Sequence, residues 1–317
     1  MGNGWKLILR SVRIFSKYPI FLLPILMVWL IYAPSIIYLK YVFPWKRVSF
    51  SETLGVVFAE IVLFSFIILI SSTLTLELIQ QLERGQSLSV GKAWEEVIGR
   101  DLLKILPLAL CWAIIWCILT IIEALLSRRD KDDQFDAAHV AMTLANYRHF
   151  SLSRAFIEAL EKGVRMVVFL ILPAIAWEDL GLLHATKKGF GVLKAHLAEF
   201  ASGYALTYLA ALLMFLPPAI MFKLGAGRHG NPPLIVFPQS VWVGVIIYIG
   251  FAWSFCMYLE QMFTATLYLV HLKWEEALKT AKTQGKPLPS FRDVLQSSGR
   301  YDKVLSEYLP DIMPSSP

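Results

Sequence analysis

Residues 54–80 read LGVVFAEIVLFSFIILISSTLTLELIQ. Glu60 and Glu77 are the ionisable side chains in this stretch; the rest is Leu, Ile, Val and Phe broken by small or uncharged polar residues. An α-helix rises about 1.5 Å per residue, so roughly 20 such residues cross the hydrocarbon of a bilayer. In lipid the backbone must satisfy its own hydrogen bonds, and a helix does so within one segment. The stretch therefore reads as a membrane-spanning helix.

Five more stretches repeat the pattern, at residues 19–41, 102–125, 164–182, 200–224 and 241–271. Within 164–182 the apolar run Met166 to Trp177 is short and carries Pro173 in its middle, so a re-entrant or tilted segment is the alternative there. Composition agrees with a membrane location. The 317 residues are 56% hydrophobic and 17% charged, with mean hydropathy +0.57, against roughly 45–50% and 25% in soluble domains. Too few charges are present to build the shell of a cytosolic enzyme. The fold class is all-α: a polytopic membrane helical bundle of about six transmembrane helices with interfacial amphipathic helices. Residues 1–272 form the transmembrane domain, 127–163 an extramembrane helical insert, and 273–317 a polar cytoplasmic tail.

Alternating six spans from a cytoplasmic N-terminus puts 18 of the 30 basic residues on the cytoplasmic side. That bias favours both termini inside. No cleavable signal peptide is evident before Lys40. Cys111, Cys117 and Cys256 fall within spans as small apolar residues and give no metal-site clustering.

A unit recurs three times: an amphipathic stretch, then a pair of spans, with the amphipathic parts at 4–17, 87–100 and 183–199. In the first, Lys6, Arg10, Arg13 and Lys17 stack on one helical face while Leu7, Ile8, Val12 and Phe15 cover much of the rest. Such a helix anchors topology and meets anionic head groups; Lys187 and Lys188 offer the same contact from the third stretch. Between spans three and four, Arg128 to Asp136 is a solvated mixed-charge turn, after which Ser153 is placed to cap a helix bearing Phe156, Ile157, Leu160 and Val164. In the tail, Ser290 to Asp293 has the spacing of a capping box, and Pro310, Pro314 and Pro317 point to disorder at the end.

Ionisable groups at membrane depth are costly, so they are the first functional candidates. Glu60 lies near the outer quarter of its span and is a candidate ion or proton site. Glu77, Glu178 and Glu260 fall toward the inner side, at the depth of Arg100 and Lys104. Together these five form a candidate polar vestibule open to the cytoplasm; the competing reading places them in the head-group zone, where long side chains reach water. Pro24, Pro34, Pro107, Pro173, Pro217 and Pro218 sit within spans. Kinked helices occur in transporters and in ordinary bundles alike. No phosphate loop, nucleophile elbow or dinucleotide fingerprint is present, and the six histidines form no short-spaced pair. Net charge +6 is accounted for by interfacial cations, so no nucleic-acid partner, metal or cofactor is expected.

Three segments carry a family resemblance. They are Trp5 to Val12 with Phe21-Leu22-Leu23-Pro24, then Phe169-Leu170-Ile171-Leu172-Pro173-Ala174-Ile175-Ala176-Trp177-Glu178 with the basic helix to His196, and Phe263-Thr264-Ala265-Thr266-Leu267-Tyr268. They resemble a large, mostly uncharacterised superfamily of bacterial polytopic membrane proteins that includes the membrane domain fused to some glycerophosphodiester phosphodiesterases. The insert 127–163 and the extended tail depart from that pattern, and no phosphodiesterase domain accompanies it. The resemblance implies a six-helix bundle in a bacterial inner membrane.

The sequence thus leads to an integral membrane protein without evident enzymatic activity. Its expected role is an accessory or scaffold subunit with a protein partner in a membrane complex, or a handler of lipids or other hydrophobic molecules. A small transporter or lipid flippase using the intramembrane glutamates is the alternative.

Overall fold

The computed structural model describes residues 11–44, 48–128, 152–225, 235–291 and 293–294, and these contain helices and turns with no strand. Helix α1 occupies residues 11–17 and passes through a 3-10 turn, Pro19–Leu22, into α2, Leu23–Tyr41. Then come α3, Phe50–Glu83, and α4, Val90–Glu96. A π-helical turn, Val97–Asp101, joins α4 to α5, Leu102–Arg128. The chain continues with α6, Leu152–Ala176, α7, Leu182–Ala195, α8, Leu197–Gly225, and α9, Gln239–Thr283.

Local chemistry sets several of these ends. Ser49 accepts from the Glu52 N–H at 3.4 Å while the Glu52 carboxylate accepts from the Ser49 N–H at 2.7 Å, a reciprocal cap that starts α3. Helix α3 stops where Gly85 turns left-handed at φ 69°, and α9 where Gly285 does so at φ 61°. Between α3 and α4 the Gln81 side chain grips both backbone groups of Ser89, at 2.8 and 3.2 Å, holding α4 against the end of α3.

Among the described residues, five helical segments are long and apolar enough to cross a membrane: Pro19–Leu39, Ser51–Glu83, Val90–Ile122, Leu197–Gly225 and Gln239–Thr283. Helix α6 differs. It carries Arg154, Glu158, Glu161, Lys162 and Arg165 in its first half, and Met166, Phe169, Leu170, Leu172, Ala174 and Ile175 are buried in its second. It packs against α3, α5, α7 and α9, which bury its second half. The expected segment 164–182 is accordingly replaced by a helix that starts by residue 152 and ends at Ala176, with Pro173 accommodated inside it. Residues 152–163 of the expected insert form the first half of this helix, and Ser153 lies within it, not at its cap. The remainder of the insert, 129–151, lies outside the described residues.

Contacts order the bundle. Trp112 on α5 meets Phe169 on α6, and Arg100 meets Ala176, so α5 and α6 run antiparallel side by side. Helix α9 carries the fully buried Tyr258, Phe263 and Tyr268 and packs against α2, α6 and α8. Leu30 on α2 and Leu212, Leu213 and Leu216 on α8 are exposed, as lipid-facing positions are. Helices α1, α4 and α7 precede the pairs of long helices α2–α3, α5–α6 and α8–α9 in turn.

Candidate functional site

Polar side chains gather at two levels. The first is the end of the bundle where α7 lies. The wide π turn aims Arg100 across the bundle, where its guanidinium donates to Asp101 Oδ1 at 3.0 Å, Glu77 Oε1 at 2.9 Å and the Ala176 carbonyl at 2.8 Å. The last contact satisfies a carbonyl left open at the C-terminus of α6. Glu77 and Asp101 are buried, so one cation neutralises two interior carboxylates. Just past α6, Asp179 adopts a left-handed φ of 57°, a conformation short polar residues tolerate, and pairs with Lys104. That hydrogen bond and the Lys104 charge hold its carboxyl below the usual carboxylate range.

Beside it runs a second chain of contacts. Tyr268 donates to Glu178, Lys188 bridges Glu178 at 3.4 Å and Glu275 at 2.9 Å, and His271 Nε2 faces Glu275 at 3.2 Å. His271 Nδ1 is then left as the acceptor for His196 Nε2–H at 2.9 Å. Burial, with His271 beside it, pushes His196 down to about 4, so its ring is neutral at ordinary pH. Phe291 lies on that ring with centroids 3.8 Å apart, and Trp274 donates to the Pro289 carbonyl at 3.1 Å. Residues 273–283 of the expected tail are thus the end of α9 and Pro289 and Phe291 fold back beside it, and the capping box is formed, with Ser290 and Asp293 bonded reciprocally at 3.2 Å. Residue 292 and residues 295–317 lie outside the described residues.

The second level is inside the bundle. Glu260 on α9 is 2% exposed, and Arg165 on α6 grips it with two bonds, Nε to Oε2 at 2.8 Å and Nη2 to Oε1 at 3.1 Å. Lys162, one turn earlier on α6 and 6% exposed, reaches the same Oε1 at 3.3 Å. Its ammonium also lies 5.0 Å from the ring centre of Tyr204 and 5.3 Å from that of Tyr208, both on α8. Next to this triad a cavity of about 210 Å³ opens between α3, α5, α6 and α9. Its wall is Phe64, Trp112, Trp116 and Trp253 with apolar neighbours, and its charged lining residues are Arg165 and Glu161. Counting about 1.5 Å per residue from the far ends of α3, α5 and α9 puts it roughly 15–25 Å down those helices.

The expected vestibule of Glu77, Glu178, Glu260, Arg100 and Lys104 is thus divided. Glu77 does meet Arg100, but Glu178 is held by Lys188 and Tyr268, Lys104 by Asp179, and Glu260 by Arg165 and Lys162. Glu60 is half-buried on α3 and accepts from Ser35 on α2, so its partner is a hydroxyl. Among the expected lipid contacts, Arg13, Lys17 and Lys187 are exposed, whereas Lys188 turns inward to its two glutamates. Lys6 and Arg10 lie outside the described residues. Sequence reasoning missed Lys162 and Arg165. Their three-residue spacing, one turn before the apolar run beginning at Met166, was the available signal. Among the described residues no three His, Cys, Asp or Glu side chains converge to hold a metal ion. Comparison with protein-family models, with curated proteins and with solved structures finds no match to this chain.

Proposed function

We propose that this chain is a non-enzymatic, multi-pass protein of a bacterial inner membrane whose task is to hold a hydrophobic or amphiphilic molecule inside its helical bundle. Helices α1, α4 and α7 lie on the cytoplasmic side in this reading, with exposed Arg13, Lys17 and Lys187 against anionic head groups. The observation that carries it is the aromatic cavity with Arg165 and Glu161 on its wall. Ligand sites are concave, mostly apolar and marked by a few polar groups, and the lining of this cavity has that character. Of the two non-enzymatic roles expected, lipid handling is the one this feature supports.

Protein purified into nanodiscs of zwitterionic lipid is titrated with a dibrominated long-chain methyl ester while tryptophan fluorescence is followed. Quenching that saturates, and that shrinks when Trp112, Trp116 and Trp253 are replaced by Phe, is the expected result. Quenching that rises linearly without saturation, as for dilution into bulk lipid, overturns the reading. Movement of such a molecule across the membrane is the second reading, favoured by the ion triad Lys162–Glu260–Arg165 buried beside the cavity.

A further inference from the structure

Trp112 and Trp116 on α5 and Trp253 on α9 line one cavity, and none of their indole N–H groups meets an acceptor among the described residues. Elsewhere in the bundle indoles are satisfied. Trp29 donates to Ser254 Oγ at 2.9 Å, Trp177 to the Leu76 carbonyl at 3.2 Å and Trp274 to the Pro289 carbonyl at 3.1 Å. Trp112 is the sharpest contrast, because only 5% of it is exposed. An enclosed indole N–H ordinarily finds a partner; it donates only, so one indole cannot serve another. Three unmet donors border the cavity, and what they lack is an acceptor.

The charges beside the cavity are matched. Lys162 and Arg165 stand against Glu260, and Glu161, one turn before Arg165 on α6, lends Arg165 a second negative charge. Two cations and two carboxylates leave no net charge there for a ligand to neutralise. A charged head would lose its hydration without gaining a counter-ion. An uncharged head with a carbonyl oxygen escapes that cost and supplies what the indoles lack.

We propose that the bound molecule has an apolar chain and an uncharged head with a carbonyl oxygen, as an acyl ester or a quinone has, and that the Trp112 N–H donates to that oxygen. Trp116 and Trp253 are the neighbouring donors, and their rings with Phe64 take the apolar part. This rests on the proposed function and names its ligand class.

The test uses nanodiscs of ether-linked zwitterionic lipid, which carry no carbonyl of their own. Three dibrominated probes of one chain length are compared by the concentration at which quenching saturates: the methyl ester, the plain alkane, and the free acid at a pH where it is ionised. The ester should bind about fivefold more tightly than the alkane, the scale of one neutral hydrogen bond, and about tenfold more tightly than the ionised acid. In Trp112→Phe the ester-to-alkane ratio should fall toward one with the alkane unchanged, whereas a merely structural role for Trp112 would weaken both probes together. Equal binding of ester and alkane by the unmodified protein overturns the carbonyl proposal while leaving the cavity reading in place. Acid that binds as tightly as ester overturns the uncharged head. Saturable quenching by neither ester nor alkane overturns the cavity reading as well. Displacement of the bound ester by dioctanoylglycerol or by decylubiquinone assigns the carbonyl to an acyl ester or to a quinone, and displacement by neither counts against the proposal. The probe comparison needs no substitution, so it stands even where a variant does not fold.

Discussion

Arg100 shows how much of this bundle can hang on one side chain. Its fork reaches Glu77, Asp101 and the last carbonyl of α6, and both carboxylates are buried. Arg100→Leu strands the two carboxylates together and should cost about 3 kcal/mol. Arg100→Lys keeps the charge but cannot span acceptors on three elements, and should recover roughly half of that loss. Unfolding by denaturing detergent, followed by circular dichroism, measures both; a lysine variant as stable as the parent would contradict the fork argument. The Glu77–Arg100 pair was legible in the sequence because apolar runs fix depth, and two ionisable groups at one depth tend to meet. The Glu260 partners were not. Lys162 and Arg165 fall in a stretch where charges are frequent, and a charge run reads as solvated unless the facing helix is known. Only the fold shows that α9 brings Glu260 to that face.

At the scale of helices, the close approaches are made at glycines. A Cβ on Gly203 of α8 would lie 2.0–2.3 Å from the ring atoms of Phe263 on α9, and Phe263 is fully buried. The ring has nowhere to move, so α8 must separate from α9. Gly203→Ala should destabilise the bundle by about 1–3 kcal/mol, as overpacking does. Phe263→Leu in the same chain should restore part of the loss, because the smaller side chain vacates the space. Additive losses in the double variant, read by the same detergent unfolding, would show that the two residues do not oppose each other. Five of the long helices were readable because lipid demands an unbroken apolar run. Helix α6 was misread at its start for the opposite reason: four helices bury its second half, and its first half carries charges that pair inward with α9, so its apolarity falls below what lipid contact requires.

For the whole molecule, the question is which way it sits in the membrane. Helix α2 begins where Phe21 lies against Tyr258 of α9 and proceeds past Trp29, which donates to Ser254 at 2.9 Å, so α2 runs opposite to α9. Helix α1 is tied to the same region, with Tyr258 donating to the Ser11 carbonyl at 2.9 Å. Helix α9 ends beyond His271 and Trp274, on the side of α7. The start of α2 and the end of α9 therefore share one face, which requires α6 to complete an even number of passes despite its charges. If the 18 basic residues assigned to that face set orientation, it faces the cytoplasm. In a chain with its three cysteines replaced, a cysteine at Thr283 or Lys187 should resist a membrane-impermeant maleimide in intact cells and react after permeabilisation. One at Val236, before α9, should react in intact cells. Labelling of Lys187→Cys and Val236→Cys from the same side would mean that the chain crosses an even number of times between them. It would thereby break the antiparallel pairing of α8 with α9 on which the position of Glu260 depends.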